Sequence, residues 1–345
     1  MIKTTIEIKN ENILKNLKYM KDNYHKEFIF VLKNNAYNTG LITTTKTCYQ
    51  AGYRYFAVCT ITEALQVREH AKEAFIFIMN PLDHEEILLA IENDFVINLS
   101  SKECFEKHQG ILANARLHLK VNVGMNRFGF NDITEINDLI NNNSNIEGLY
   151  THFPVADLDD LTMHNQQVVF FAEIYEQITN KNQLKMIHAE NSATALYQDE
   201  RLAFCNYSKI GLLGYGTTPL KLIDELVPVF YVTTQIASLI EVLEDGYAGY
   251  GIKAKVTKGM KLAVCPIGYG DGLSKLRDVI PVIINDKEYQ VLSITMSHLI
   301  IAVDNNVKVG DSVEVYGDRV KLDHMYLITG IPSAIQMTSL HTEMM

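Results

Sequence analysis

From residue 28 onward, short runs rich in β-branched and aromatic residues recur, each followed by a longer stretch of helical period. The runs are Phe28 to Lys33, Tyr55 to Val58, Phe75 to Met79, Phe95 to Leu99, Leu117 to Val123, Gly148 to His152, Met186 to Ala189 and Phe204 to Ile210. Apolar runs this short are strands buried on both faces, and strands alternating with helices pair in parallel. Eight such units predict an α/β fold of the (β/α)8 TIM-like barrel type. The intervening stretches support it: Ile61 to Arg68 is built of good helix formers with one apolar face, and Asp132 opens the next helical stretch as a cap. After about residue 225 the texture changes to short strands separated by Gly, Asp and Asn turns, as at Asn285-Asp286 after Val282-Ile283-Ile284. The expectation is a barrel over residues 1–225 and a C-terminal all-β domain over 226–345, with Lys3 to Ile8 a strand able to pair with that second domain.

The chain has 345 residues, is 47% hydrophobic and carries a formal charge of −10. That size fills one large or two ordinary cores. An acidic surface without a dense Lys/Arg patch argues against nucleic acid or an anionic membrane as partner, which leaves small-molecule chemistry as the default. No apolar run reaches membrane-span length and the polar start lacks a signal-peptide core, so a cytoplasmic location is expected. Cys48, Cys59, Cys104, Cys205 and Cys265 are odd in number and widely spaced, which fits core thiols better than disulfides or a metal site.

In a barrel of this kind chemistry sits where strands end and the following loops begin. Lys33 ends the first run, His152 the sixth, Asn191-Ser192 follow the seventh, and Lys209-Ile210-Gly211 close the eighth. A lysine at a strand end can simply snorkel to water, and Asn-Ser can simply cap a helix. Together, however, they supply an amine that condenses with a carbonyl and a hydroxyl-and-amide corner for a phosphate. Gly211-Leu212-Leu213-Gly214 lacks the spacing of a dinucleotide fingerprint, yet its amides can approach the same anion. An amine, a carbonyl and a phosphate together describe pyridoxal 5'-phosphate.

Over nearly its full length the sequence resembles the alanine racemases. The resemblance rests on Val31-Leu32-Lys33-Asn34-Asn35-Ala36-Tyr37, on Phe56-Ala57-Val58 with Thr62-Glu63-Ala64, and on Leu119 to Gly129. Thr151-His152-Phe153, His188 to Ala193, Gly249-Tyr250-Gly251 and Pro266 to Gly272 continue it in order. What it implies is a racemase that removes an α-proton from one face of the substrate and returns it on the other, with Lys33 and Tyr250 as the two bases. Arg127 is implied at the cofactor's phenolic oxygen and the substrate carboxylate, Lys120 as a lysine that many relatives carbamylate, and His152 as the link from Tyr250 to the cation below the ring. Tyr37, Asn191, Ser192, Gly211 and Leu212 are implied around the phosphate, and Tyr269 and Met296 in the substrate pocket. The tyrosine is implied to come from the partner subunit of a homodimer, and the substrate to be alanine or another small amino acid.

Two departures stand out. The resemblance implies arginine under the pyridine nitrogen, where this chain has Lys209; arginine never gives up its proton, whereas a buried lysine can. Near the C-terminus Ser333-Ala334-Ile335-Gln336-Met337 replaces a tyrosine-containing phosphate-binding stretch, so one phosphate hydrogen bond is lost or passed to Ser333. Other enzymes on this scaffold, an aldolase or a decarboxylase, and a paralogue that binds the cofactor with little turnover are the alternatives.

Overall fold

The computed structural model describes residues 4–218, 220 and 222–341. By contacts the chain divides into two compact units, Leu14–Gly214 and Met1–Ile13 with Tyr215–Met345. The change of texture at 225 falls inside the second unit, which begins at Tyr215.

In the first unit eight parallel strands close into a barrel: Glu27–Val31, Tyr55–Val58, Phe75–Ile78, Val96–Leu99, Arg116–Lys120, Ile146–Tyr150, Met186–His188 and Tyr207–Ile210. Closure comes from the last strand pairing with the first, in the register Glu27↔Tyr207, Ile29↔Lys209 and Phe30↔Ile210. Ile29, Val31, Ala57, Phe77, Val96, Tyr150 and Met186 pack together as one buried cluster. Burying an aliphatic or aromatic side chain this completely contributes about 1.5–3 kcal/mol each. The helices start where their sequences provide caps. Thr60 with Glu63 and Asp83 with Glu86 form reciprocal capping boxes, and Asp132 accepts from the amides of Thr134 and Glu135. The strands stop earlier than the apolar runs in the sequence. Val31 and Tyr150 are the last strand residues, so Lys33 and His152 both stand in the loops at the mouth.

The barrel interior is not wholly apolar. His118 and His188 are fully buried and joined Nδ1 to Nε2 at 2.8 Å. Gly148 makes the room: a Cβ there would lie 2.2 Å from His118 Cδ2.

The second unit is built of antiparallel sheets. One has the order Thr5–Ile8, Phe230–Gln235, Ser312–Tyr316, Val282–Ile284 and Lys287–Tyr289; another has Ser238–Glu241, Lys261–Cys265, Leu299–Val303 and Val291–Ile294. Asn285 and Asp286, at φ 49 and 65, make the tight turn between Val282–Ile284 and Lys287–Tyr289. Gly246–Ala248 and Ala254–Val256 form a ribbon whose loop carries Tyr250, between Gly249 at φ 70 and Gly251 at φ 65. Two short helices, Asp323–Thr329 and Ser333–Ser339, follow the last strand. Among the described residues no helix is long and apolar enough to cross a membrane.

Because the His118 ring occupies the space beside Gly148, Gly148→Ala forces the ring or the strand to shift. The expected cost is about 1–3 kcal/mol of stability, read as a lower midpoint in urea; an unchanged midpoint contradicts this packing.

Candidate active site at the barrel mouth

After Val31 the chain enters a left-handed turn. Asn34, Asn35, Ala36, Tyr37 and Asn38 all have φ between 52 and 70. Each L-residue placed there costs roughly 1–2 kcal/mol, least for asparagine. Asparagine occupies the first, second and last of these positions. Glu63 holds the turn down: one carboxylate oxygen accepts from the Asn34 amide at 2.7 Å and the other from the Cys59 amide at 2.9 Å. One acidic side chain thus ties the residue after Lys33 to the end of the second strand. Asn35 Oδ1 takes the Leu41 amide and Thr39 Oγ1 donates to the Ala36 carbonyl, closing the turn from its other side.

Lys33, Lys120, Arg127 and Lys209 converge at this mouth. Their charges act together on His152, which burial first, and then Lys209, Lys33, Lys120 and Arg127, push down to about 3. Its imidazole is therefore neutral. Lys120 is buried and lowered to about 8, by desolvation and then by Arg127. Tyr150 lies between two of the amines, with Lys209 Nζ 5.3 Å and Lys120 Nζ 5.7 Å from its ring centroid. Among the described residues none of these four cations forms an ion pair with a carboxylate. Positive groups gathered without counter-charge make a site for an anion.

A corner of hydrogen-bonding groups lies between the seventh and eighth strands. Asn191 caps the helix Ser192–Tyr197, accepting from the amides of Ala193 and Thr194. Ser192 Oγ gathers the amides of Gly211 at 3.1 Å and Leu213 at 3.4 Å, with Leu212 between them. A Cβ on Gly211 would sit 2.8 Å from Tyr37 Oη, so the missing side chain lets that phenol reach the corner. Burial pushes the Tyr37 phenol up, keeping it a hydrogen-bond donor.

Lys209 lies deeper. Its Nζ is 3.0 Å from the Thr151 carbonyl, 3.1 Å from the His188 carbonyl and 3.2 Å from His188 Nδ1. Desolvation lowers it to about 7. Sequence reasoning singled out Lys209 but assigned no role to His188, His118 or Glu63. Two polar rings inside strands whose neighbours are apolar were the available signal for the histidines. For Glu63 the signal was its capping-box spacing from Thr60.

Thus Lys33, Tyr37, Lys120, Arg127, His152, Asn191, Ser192, Lys209, Gly211 and Leu212 all belong to the barrel unit. Tyr250, Tyr269 and Met296 belong to the other, where the Gly270 amide donates to the Met296 carbonyl at 2.8 Å. Ser333 is buried and its hydroxyl donates to the Leu322 carbonyl, which takes up its hydrogen.

The family described as alanine racemase, N-terminal domain, matches residues 8–219, and that described as alanine racemase, C-terminal domain, matches 229–344. A Staphylococcus aureus protein named alanine racemase 2 is 31% identical over 340 residues, covering 95% of this chain and 92% of the other. A lysine racemase of Oenococcus oeni is 27% identical over 348 residues, covering 95% and 93%. A solved structure of alanine racemase from Bartonella henselae with covalently bound pyridoxal phosphate superposes with a TM-score of 0.85 at 23% identity, covering 98% and 97% of the two chains.

Removing the Glu63 carboxylate leaves the Asn34 and Cys59 amides without their acceptor. Glu63→Ala is expected to cost about 1–3 kcal/mol and to raise protease cleavage within 33–40; wild-type cleavage resistance there contradicts the clamp.

Proposed function

Because this chain belongs to the alanine racemase family, we propose that it interconverts L- and D-alanine by a two-base mechanism, with Lys33 and Tyr250 acting on opposite faces of the substrate. The protein is a pyridoxal phosphate-dependent isomerase of amino acids. Two features of its own residues fit that cofactor. The Ser192 hydroxyl, the Gly211 and Leu213 amides and the Tyr37 phenol form a cradle that a Cβ on Gly211 would fill. The convergence of Lys33, Lys120, Arg127 and Lys209 without a carboxylate carries the reading, since a phosphate and a substrate carboxylate supply the charge this mouth lacks. When bound, the cofactor supplies an aldehyde for the amine and a ring that acidifies the hydrogen on the α-carbon.

In this reading Lys33 Nζ, held by its left-handed turn, takes or returns the α-proton on one face. Tyr250 Oη does the same on the other. Tyr250 is 80% exposed in the single chain, and Ile252, two residues on, is 79% exposed. A phenol left in bulk water is a poor base. We therefore place Tyr250, with Tyr269 and Met296, in the partner subunit's contribution to a shared site of a homodimer, where the neutral His152 ring hydrogen-bonds the phenol and feels Lys209 through its charge. Arg127 receives the substrate carboxylate and the cofactor's phenolic oxygen in its planar fork. Lys120, lowered to about 8 by desolvation and then by Arg127, gives up its proton more readily than a free lysine, and the neutral fraction adds carbon dioxide to give a carbamate and a released proton, countering that guanidinium. Asn191 fixes the start of the helix behind Ser192. A lysine substrate would bring a further ammonium into a mouth already holding unpaired cations, which favours alanine. A decarboxylase would place a carboxylate where Lys209 stands.

Incubation with L-alanine in D2O is expected to yield D-alanine labelled at the α-carbon, faster than L-lysine yields D-lysine. Tyr250→Phe should cut that rate by about 10²-fold or more while cofactor absorbance is retained. Release of carbon dioxide or aldehyde, or cofactor binding without labelled D-alanine, overturns the proposal.

A further inference from the structure

Lys209 is surrounded in a way that an arginine would not need. A lysine nitrogen has three positions beyond its own carbon, and the Thr151 carbonyl, the His188 carbonyl and His188 Nδ1 lie within hydrogen-bond distance of it at 3.0, 3.1 and 3.2 Å. His188 continues the chain, its Nε2 meeting His118 Nδ1 at 2.8 Å. There the chain ends, because His118 Nε2 is buried with no hydrogen-bond partner. The His118 ring packs against Phe75 and Phe77, and His188 stacks on Tyr150 at 4.9 Å.

Counting hydrogens allows two arrangements. As an ammonium, Lys209 donates to both carbonyls and to His188 Nδ1; His188 then carries its hydrogen on Nε2 and gives it to His118 Nδ1, leaving His118 with its hydrogen on Nε2. As an amine, Lys209 keeps two hydrogens for the carbonyls and its lone pair accepts from His188 Nδ1–H; His188 Nε2 now accepts from His118 Nδ1–H. The two differ by one proton released to solvent, and both rings change tautomer together. In neither does Nζ retain a hydrogen or a lone pair for anything else.

We propose that Lys209 is locked by His188 and His118 so that it makes no hydrogen bond to the pyridine nitrogen of bound pyridoxal phosphate, acting there only through its charge, while the tautomers of both histidines report whether that charge is present. His118 is thus a positioning residue. The proposal rests on the cofactor assignment above for the pyridine nitrogen, and on the chain alone for the histidines. The charged and titratable groups facing the triad are Lys120 from the fifth strand, Tyr150 from the sixth and His152 from the loop after it, Glu190 and Cys205 from the segment joining the seventh and eighth, and Arg116 below His118. Burial, Arg116 and Lys209 push His118 down to about 3, and burial, Lys209 and His118 lower His188, so neither ring becomes an imidazolium. Lys209, at about 7, is the member that titrates.

The test is ¹⁵N NMR of the cofactor-loaded protein, with labelled histidine and with pyridoxal phosphate labelled at its ring nitrogen. Rising pH should move both histidines from Nε2–H to Nδ1–H at one shared midpoint. Above that midpoint, where Lys209 is neutral, the ring-nitrogen resonance of wild type should coincide with that of Lys209→Met, whereas arginine, with five N–H donors against three protein acceptors, should shift it upfield in Lys209→Arg. A wild-type ring nitrogen shifted upfield with Lys209→Arg, or histidines that titrate separately or as imidazolium, overturns the proposal. If no labelled cofactor binds, it is the functional reading that fails; the histidine titration of the unloaded protein then decides the triad.

Discussion

The pairing of the last barrel strand with the first is the contact on which everything at the mouth depends. Its partners are nearly the whole barrel apart in sequence, yet the register Ile29↔Lys209 sets Lys209 beside the strand that delivers Lys33. Lys33 follows four residues after Ile29 and clears the strand end. Lys209 points inward at the level of the buried histidines. A slip of one residue would reverse every side chain on the strand and exchange Lys209 for Ser208 or Ile210, leaving the buried histidines without their amine.

Desolvation governs the chemistry built on that frame. It lowers Lys120 and Lys209 and keeps His118, His152 and His188 neutral. The same low polarity makes uncompensated charge costly, so a mouth lined with cations is stable only if hydrogen bonds or an arriving anion answer them. Lys209 is answered by backbone carbonyls and a ring nitrogen. Lys33 is held by geometry, through a strained turn whose backbone Glu63 and Asn35 secure. Glu190, which faces Lys209, is engaged on its own account: Lys26 meets its carboxylate at 2.9 Å and Ser208 donates to it at 2.5 Å.

Much of this was legible in the sequence. Eight strand-and-helix units foretold a closed barrel because a parallel sheet buried on both faces leaves an unmistakable apolar rhythm, and the change to turn-rich short strands marked the β-rich remainder. Lys33, Ser192 and Lys209 were readable as residues at strand ends. What stayed hidden was set by long-range contacts and backbone conformation. Nothing in Asn34 to Asn38 announces a run of left-handed residues, although the asparagines permit it. Glu63 reads as a helix cap until the Asn34 amide is found on its other oxygen. His118 and His188 are distant in sequence and meet only because Gly148, on the strand between theirs, leaves a space the size of a ring. Ser333, suggested by sequence as a replacement phosphate ligand, already has a partner in Leu322.

The central claim is that the Lys33 amine, presented by that turn, is the one that captures the cofactor's aldehyde. Borohydride reduction of the pyridoxal phosphate-loaded protein, followed by peptide mass spectrometry, tests it most directly. The account predicts a single reduced adduct on the peptide containing Lys33. An adduct on Lys120 or Lys209 instead, or loaded protein that yields no adduct, would contradict it.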